Sequence, residues 1–305
     1  PVLYPIVGQV QKVINENTDK IENVYYIFVK YIAEKVKVQS MKNDAFELPE
    51  SLYEFAQITD FPKVIENLSD LAEKEDWTYQ YSPDTDKTGY PILANYIRNT
   101  YRRLATEKKI AFSKDGKFSC FDTGLISRSQ NEPIYMMFEE NINPNIPCYW
   151  YFKRFFRSGE YDVSKFPKLP EMAFYCDDPS KLIYDIRKEL VVNIEHMIVD
   201  NKPRFPEPFN TMPDYQLKLY IDGCVKAAIE RVKRNYKVAI PQYFLTTGTI
   251  QLLIPLCLSN PNVADLAIVV EDYGSMYRAS TCLTLDMAMN NARLLARPDR
   301  DWLNP

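Results

Sequence analysis

The sequence predicts an α+β fold, in which helices lead into a hairpin and a mixed or mainly antiparallel sheet packed by helices follows. Three observations carry this. Apolar residues recur at helical spacing from Ile21 to Ile32 and again from Phe61 to Leu104. Residues 110–121, IAFSKDGKFSCF, are two alternating runs about Asp115–Gly116, a strong hairpin signal. Downstream, short apolar runs such as Leu266–Val270 accompany one long amphipathic stretch, Asp214–Asn235.

Taken in order, residues 1–48 read as a helical N-terminal segment. Thr18 suits an N-cap, and Ile21, Val24, Tyr25, Phe28 and Ile32 form an aromatic-rich face. Such a face docks on the main domain or on a second copy, so a homodimer is one expectation. Residues 49–305 form the α+β main domain. Ser51–Gln57 suits a short helix, and Phe61–Glu75 places Val64, Ile65, Leu68 and Leu71 at helical spacing. Pro91 fits the first turn of a third helix, with Leu93, Tyr96, Ile97 and Leu104 inward. With the hairpin, residues 49–122 have the element order of a winged helix. PIYMMFEEN (133–141) and CYWYFKRFFRSGE (148–160) read as strands, and Met172–Cys176 as a shorter one.

In Asp214–Asn235 an inward stripe is expected through Leu217, Tyr220, Ile221, Cys224, Val225, Ala228, Ile229 and Val232. Leu266–Val270 is expected as a buried strand and Thr246–Leu253 as a buried strand or a short helix, with Thr281–Leu285 another β-favouring run. Asp286 fits the N-cap of a last helix, because its carboxylate can accept from the free amides of the first turn. Asp286, Asn290, Arg293 and Arg297 then share one face of that helix. Asn291 falls on the apolar side, where an amide without partners costs about 1–3 kcal/mol.

Composition excludes more than it assigns. The chain has 305 residues, 46% hydrophobic and 26% charged, which suits a folded protein. A net charge of −4 gives no global attraction to polyanions, so nucleic-acid binding would need a local basic patch. The longest apolar stretches are broken by Pro255 or by charges, so no membrane span is expected. The first residues, PVLYPIVGQVQK, lack the basic start and cleavage pattern of a secretory signal. Six scattered cysteines within apolar runs suit a reducing compartment, and the expected location is cytoplasmic. Only 8 glycines are present, none spaced for a Walker loop or a dinucleotide fingerprint. With the single histidine, His196, paired-histidine metal chemistry is excluded, and no cysteine pair has zinc-finger or redox spacing.

Two stretches carry a basic pattern. The third helix shows Arg98, Arg102 and Arg103 on its outer side, either a phosphate-contacting patch or an ordinary solvated face. In the strand around Trp150, aromatic rings alternate with Lys153 and Arg154. Bases can stack on Trp150 or Tyr151 while the cations meet phosphates, or the rings can be core. His196, near Glu195 and Asp200 before a proline-rich loop, is a candidate acid or base, or a structural residue.

FDTGL (121–125), EHMIVDNKPRFP (195–206), RNYKVAIPQYF (234–244), QLLIPLCL (251–258) and LTLDMAMNNARLLARPDRDWL (283–303) resemble an uncharacterised domain family over about residues 49–303. The resemblance implies a lean toward RNA or nucleotides, because some relatives are joined to RNA-associated domains. It supplies no catalytic residues. Three readings follow. The first is an RNA- or nucleotide-binding protein, with Arg98, Arg102, Arg103, Lys153 and Arg154 on phosphates, Trp150 or Tyr151 stacking, and a polar pocket at Asn290 and Arg293. The second is a metal-dependent enzyme on nucleotide or RNA phosphate esters. In it Asp272 and Asp286 hold Mg²⁺, Arg293 clamps phosphate and His196 transfers protons. The third is a structural or assembly protein without a ligand.

Overall fold

LAIVVED, residues 266–272, is a strand with its first five residues buried, as an unbroken apolar run requires. The structure is a computed structural model and describes residues 48–298 and 303, apart from 86 and 144. The expected N-terminal helix lies outside the described residues. In chain order the elements begin with α1 (Leu52–Phe55), β1 (Ala56–Gln57), α2 (Phe61–Leu71) and α3 (Pro91–Thr106). Strands β2 (Ala111–Phe112), β3 (Phe118–Ile126), β4 (Pro133–Glu140), β5 (Trp150–Arg157) and β6 (Glu189–Val192) follow. The last third holds α4 (Ile194–Asn201), α5 (Asp214–Arg234), β7 (Ile240–Phe244), β8 (Thr249–Leu256), β9 (Leu266–Asp272), β10 (Met276–Leu283) and α6 (Leu285–Arg293). The fold is α+β, with two mixed five-stranded sheets. Contacts divide the described chain into two units, residues 48–59 with 101–172, and 60–100 with 173–303.

In the first unit the sheet order is β1-β5-β4-β3-β2. The expected hairpin forms, with Ala111 opposite Cys120 and Gly116 at φ +70°, where a side chain would be strained. Its second strand does not end as a free wing but continues as β3 into the β3-β4-β5 meander. Rings fill the core: Phe55 lies 5.1 Å from Tyr101, 5.4 Å from Phe138 and 6.1 Å from Trp150.

Asp122, on β3, is 8% exposed and accepts from the Gly124 amide at 2.8 Å. Burial pushes its carboxyl up to about 6. The folded state therefore holds this proton more tightly than the unfolded chain does. Stability from this group is full below the unfolded value, about 3.9, and is lost as pH rises to about 6. Asp122→Asn, which keeps the acceptor, is expected to raise stability at pH 7 by about 3 kcal/mol and to flatten that loss. Urea unfolding at pH 4.5 and 7 checks it; an unchanged pH profile would remove Asp122 as the cause.

In the second unit the order is β6-β10-β9-β8-β7, antiparallel except for the β6–β10 pair. Successive strand residues point to opposite faces, and this sorts the helices. Leu252, Ile254, Ile268 and Val270 share a cluster with Met197 and Ile198 of α4 and Leu217, Ile221, Val225 and Val232 of α5. The other face meets α6, where Asn291 Nδ2 donates to Gln242 Oε1 at 3.1 Å. The side-chain amides continue from strand to strand. Gln242 Nε2 donates to Gln251 Oε1 at 2.8 Å, and Gln251 Nε2 to Glu271 Oε1 at 3.0 Å. Asn291 thus finds the partner that its place on an apolar face demands.

Two expectations are corrected. Residues 171–176 form no strand; Met172 and Phe174 are exposed while Ala173 is buried and Tyr175 packs on Tyr243, but among the described residues no strand pairs with the segment. The N-cap of α6 is Thr284, whose Oγ1 accepts from the Met287 amide at 3.4 Å, and Asp286 lies inside the first turn. Either side chain can cap, and Asp286 has other partners. Among the described residues no helix is long and apolar enough to cross a membrane.

Candidate functional site

The polar face of α6 meets residues 75–81, a stretch between α2 and α3. Asp286 is 5% exposed. Its Oδ1 accepts from the Gln80 amide at 2.9 Å and its Oδ2 from the Tyr81 amide at 3.0 Å. The carboxylate thus fastens a loop that has no ladder of its own. One turn later Asn290 Nδ2 donates to the Tyr79 phenol at 2.8 Å, and Asn95 Nδ2 of α3 donates to the same oxygen at 2.6 Å. Burial pushes the Tyr79 phenol above its ordinary value, though both amides pull the other way. Asn290 Oδ1 is buried without a partner. Turning the amide over would let Tyr79 donate to that oxygen, but would leave the Asn290 NH₂ unpaired instead. One edge of Asn290 is therefore unsatisfied in either orientation.

Arg293, on the same helix face, is fixed. Its Nε and Nη2 donate to Glu75 at 2.6 and 3.0 Å, a bidentate pair with both side chains only 11% exposed. Its guanidinium also lies 4.8 Å from the Trp77 ring centre and 4.7 Å from that of Tyr96. Beyond it, Arg297 and Lys74 are exposed, and Arg297 Nη1 lies 3.5 Å from the Lys74 carbonyl. Neither cation has a carboxylate within 4.0 Å among the described residues. The arrangement has a buried amide oxygen without a partner beside a phenol, the exposed ring of Tyr81, and two exposed cations with no carboxylate partner among the described residues.

The model of a domain of unknown function, DUF3825, matches residues 68–302, well over half of the chain. The chain belongs to the DUF3825 family. No curated protein and no solved structure matches it. The whole α6 face, with Glu75, Trp77, Tyr79 and Asn95, lies inside the DUF3825 region.

Of the other residues singled out in this DUF3825 chain, Arg98 reaches the edge of that face, close enough for its charge to act on the Tyr79 phenol, and the rest do not join it. Trp150 is 1% exposed among Phe55, Phe112 and Tyr149, so no base can stack on it. Tyr151 is half-buried, its phenol 2.7 Å from the Thr59 hydroxyl. The basic residues meet carboxylates. Arg102 pairs with Glu50 at 3.2 Å, Arg103 with Glu107, and Lys153 with Glu139 at 2.9 Å. Arg154 bridges Glu160 and Asp162. Arg98 lies over the Phe61 ring and near the Asn95 amide oxygen. Glu107, Glu160 and Asp162 lie within eight residues of the cations they meet, whereas Glu50 and Glu139 come from farther along the chain.

The proposed metal site is corrected as well. Both oxygens of Asp272 meet Lys188 Nζ, at 2.7 and 2.8 Å, while both of Asp286 meet backbone amides. His196 is half-exposed on α4 with Asp200 at 3.2 Å. Since α4 and α6 cover opposite faces of the sheet, His196 and Asp286 are separated by it. Among the described residues no group of three or more His, Cys, Asp or Glu is placed to hold a metal ion. Sequence reasoning missed Glu75, Trp77, Tyr79 and Asn95. Tyr79 and Asn290 are 211 residues apart, and nothing local in either segment announces the other.

Proposed function

We propose that this protein binds a nucleotide or single-stranded RNA on the face formed by residues 78–81 and α6. The observation that carries the proposal is the half-buried Asn290 amide beside Tyr79, whose oxygen is buried without a partner. That oxygen is enclosed and the Nδ2 is held by Tyr79, so a base edge meets the amide once the Tyr79 ring shifts; the donor and acceptor side by side are then the pattern that reads a base edge. Tyr81, 61% exposed, supplies a ring on which a base can stack. Lys74 and Arg297 supply the phosphate contacts, in place of the paired cations of α3 and β5.

Fluorescence anisotropy with a labelled single-stranded RNA, and ATP as competitor, tests this. With two phosphate contacts, affinity is expected to fall about sevenfold between roughly 50 and 200 mM salt. Asn290→Ala is expected to weaken binding about tenfold, the cost of one lost base-edge contact, without moving the salt slope. Absence of binding at the lower salt, or an Asn290→Ala variant that binds like the parent, sinks the proposal.

A further inference from the structure

A cavity of about 230 Å³ lies elsewhere in the second unit, between α5 and the turn after β8. Tyr220, Gly223, Cys224, Arg231, Cys257 and Ser259 are among its lining residues. Three observations distinguish it from a packing gap. The first is Arg231. Its Nη1 lies 3.5 Å from Cys257 Sγ and its Nη2 donates to the Pro261 carbonyl, both neutral acceptors. The other described cations of α5 all have acids: Lys218 with Glu195, Lys226 with Asp222, Lys233 and Arg234 with Glu230. Asp265, close to this turn in sequence, makes no ion pair with Arg231, though its charge acts on both Cys224 and Cys257. It accepts from the Leu258 and Ser259 amides and from the Ser259 hydroxyl. A guanidinium cannot shed its proton, so a half-buried one carries a charge that neutral groups balance only in part.

The second observation is Gly223, in the middle of a 21-residue helix. Glycine there costs about 1 kcal/mol relative to alanine. A Cβ at this position would meet nothing within 4 Å, so no close packing demands the glycine. Its effect is to leave the cavity open. The third is the pair of thiols. Burial pushes both Cys224 and Cys257 up, so at neutral pH they are mainly uncharged walls that react slowly through a small thiolate fraction. The Leu258 and Ser259 amides are already bound to Asp265, which leaves no backbone nest for a multiply charged anion.

We infer that this cavity binds a small organic monoanion, a carboxylate on an apolar body, with Arg231 taking the carboxylate and the walls of Tyr220, Cys224 and Cys257 enclosing the body. Arg231 is the one charged side chain among the lining residues, and with the nearby Asp265 carboxylate already held by three donors it matches one negative charge. A planar guanidinium fits a carboxylate through two parallel hydrogen bonds. The site stands apart from the α6 face and does not depend on its reading.

Benzoate is the probe. Alkylation of the full-length protein by a thiol reagent, followed by mass spectrometry, reports each cysteine, with Cys176 as internal reference outside the cavity. Benzoate is expected to slow alkylation of Cys224 and Cys257 several-fold and to leave Cys176 unchanged. Benzamide, its neutral counterpart, and inorganic phosphate are expected to give no protection. Arg231→Gln should abolish protection. Gly223→Met, which fills the cavity while favouring the helix, should abolish it in a protein at least as stable as the parent, so a folding defect in the first variant leaves the test intact. Unchanged alkylation of both cysteines in benzoate, equal protection by benzamide or phosphate, or protection that survives in both variants overturns the inference.

Discussion

Trp150→Ala is expected to destabilise the protein by about 3–5 kcal/mol, the range for emptying a buried aromatic site. Trp150 starts β5 opposite Ala56 and lies 4.8 Å from Tyr149 and 5.8 Å from Phe112, ring centre to ring centre. Its indole Nε1 has no acceptor. Trp150→Phe removes that unpaired donor along with some volume, and is expected to cost under about 1.5 kcal/mol. Urea unfolding followed by circular dichroism separates the two variants. Should Trp150→Ala unfold like the parent yet lose affinity for RNA, the ring would belong to a binding surface and not to the core.

The second large effect concerns Arg293 and Glu75. Removing either partner of a nearly buried bidentate pair strands the other charge, and each single alanine variant is expected to cost about 3–5 kcal/mol. Arg293 loses its stacking on Trp77 and Tyr96 as well, so Arg293→Ala should cost the more. The double variant is expected to cost less than the sum by about 2 kcal/mol, because neither charge is then left alone. Salt should change these values little, since the pair is only 11% exposed. A coupling near zero in the double-mutant cycle would mean that the pair opens to solvent.

What was legible in the sequence follows from the range of the forces involved. Helical spacing located α2, α3 and α5 closely, because one buried face imposes its period over several turns. The Asp115–Gly116 turn located the β2–β3 hairpin, since few residues tolerate positive φ at Gly116. The 171–176 segment failed because alternation alone cannot show that a partner strand exists. At the candidate site the polar face of α6 was visible, and so was the need of Asn291 for a partner. The other side of that face, Glu75 through Tyr81, was not. Those residues reach α6 only through tertiary contact, and no local rule links positions more than 200 residues apart. Trp150 was misassigned for a related reason. A run of rings and cations has the same composition whether its rings stack on bases or on each other, and only burial tells the two apart.

The line of amides from Asn291 through Gln242 and Gln251 to Glu271 bears on how the second sheet assembles correctly. Gln242 faces Gln251 in the native pairing; moved along by one position it would face Ile250 or Leu252. A mis-threaded sheet would then bury amides against hydrocarbon, at about 1–3 kcal/mol for each stranded group. Apolar neighbours alone would scarcely tell one alignment from the next, so the glutamines act as an alignment check. Exchanging both for leucine should leave a sheet that still holds together but no longer discriminates so sharply against the wrong pairing.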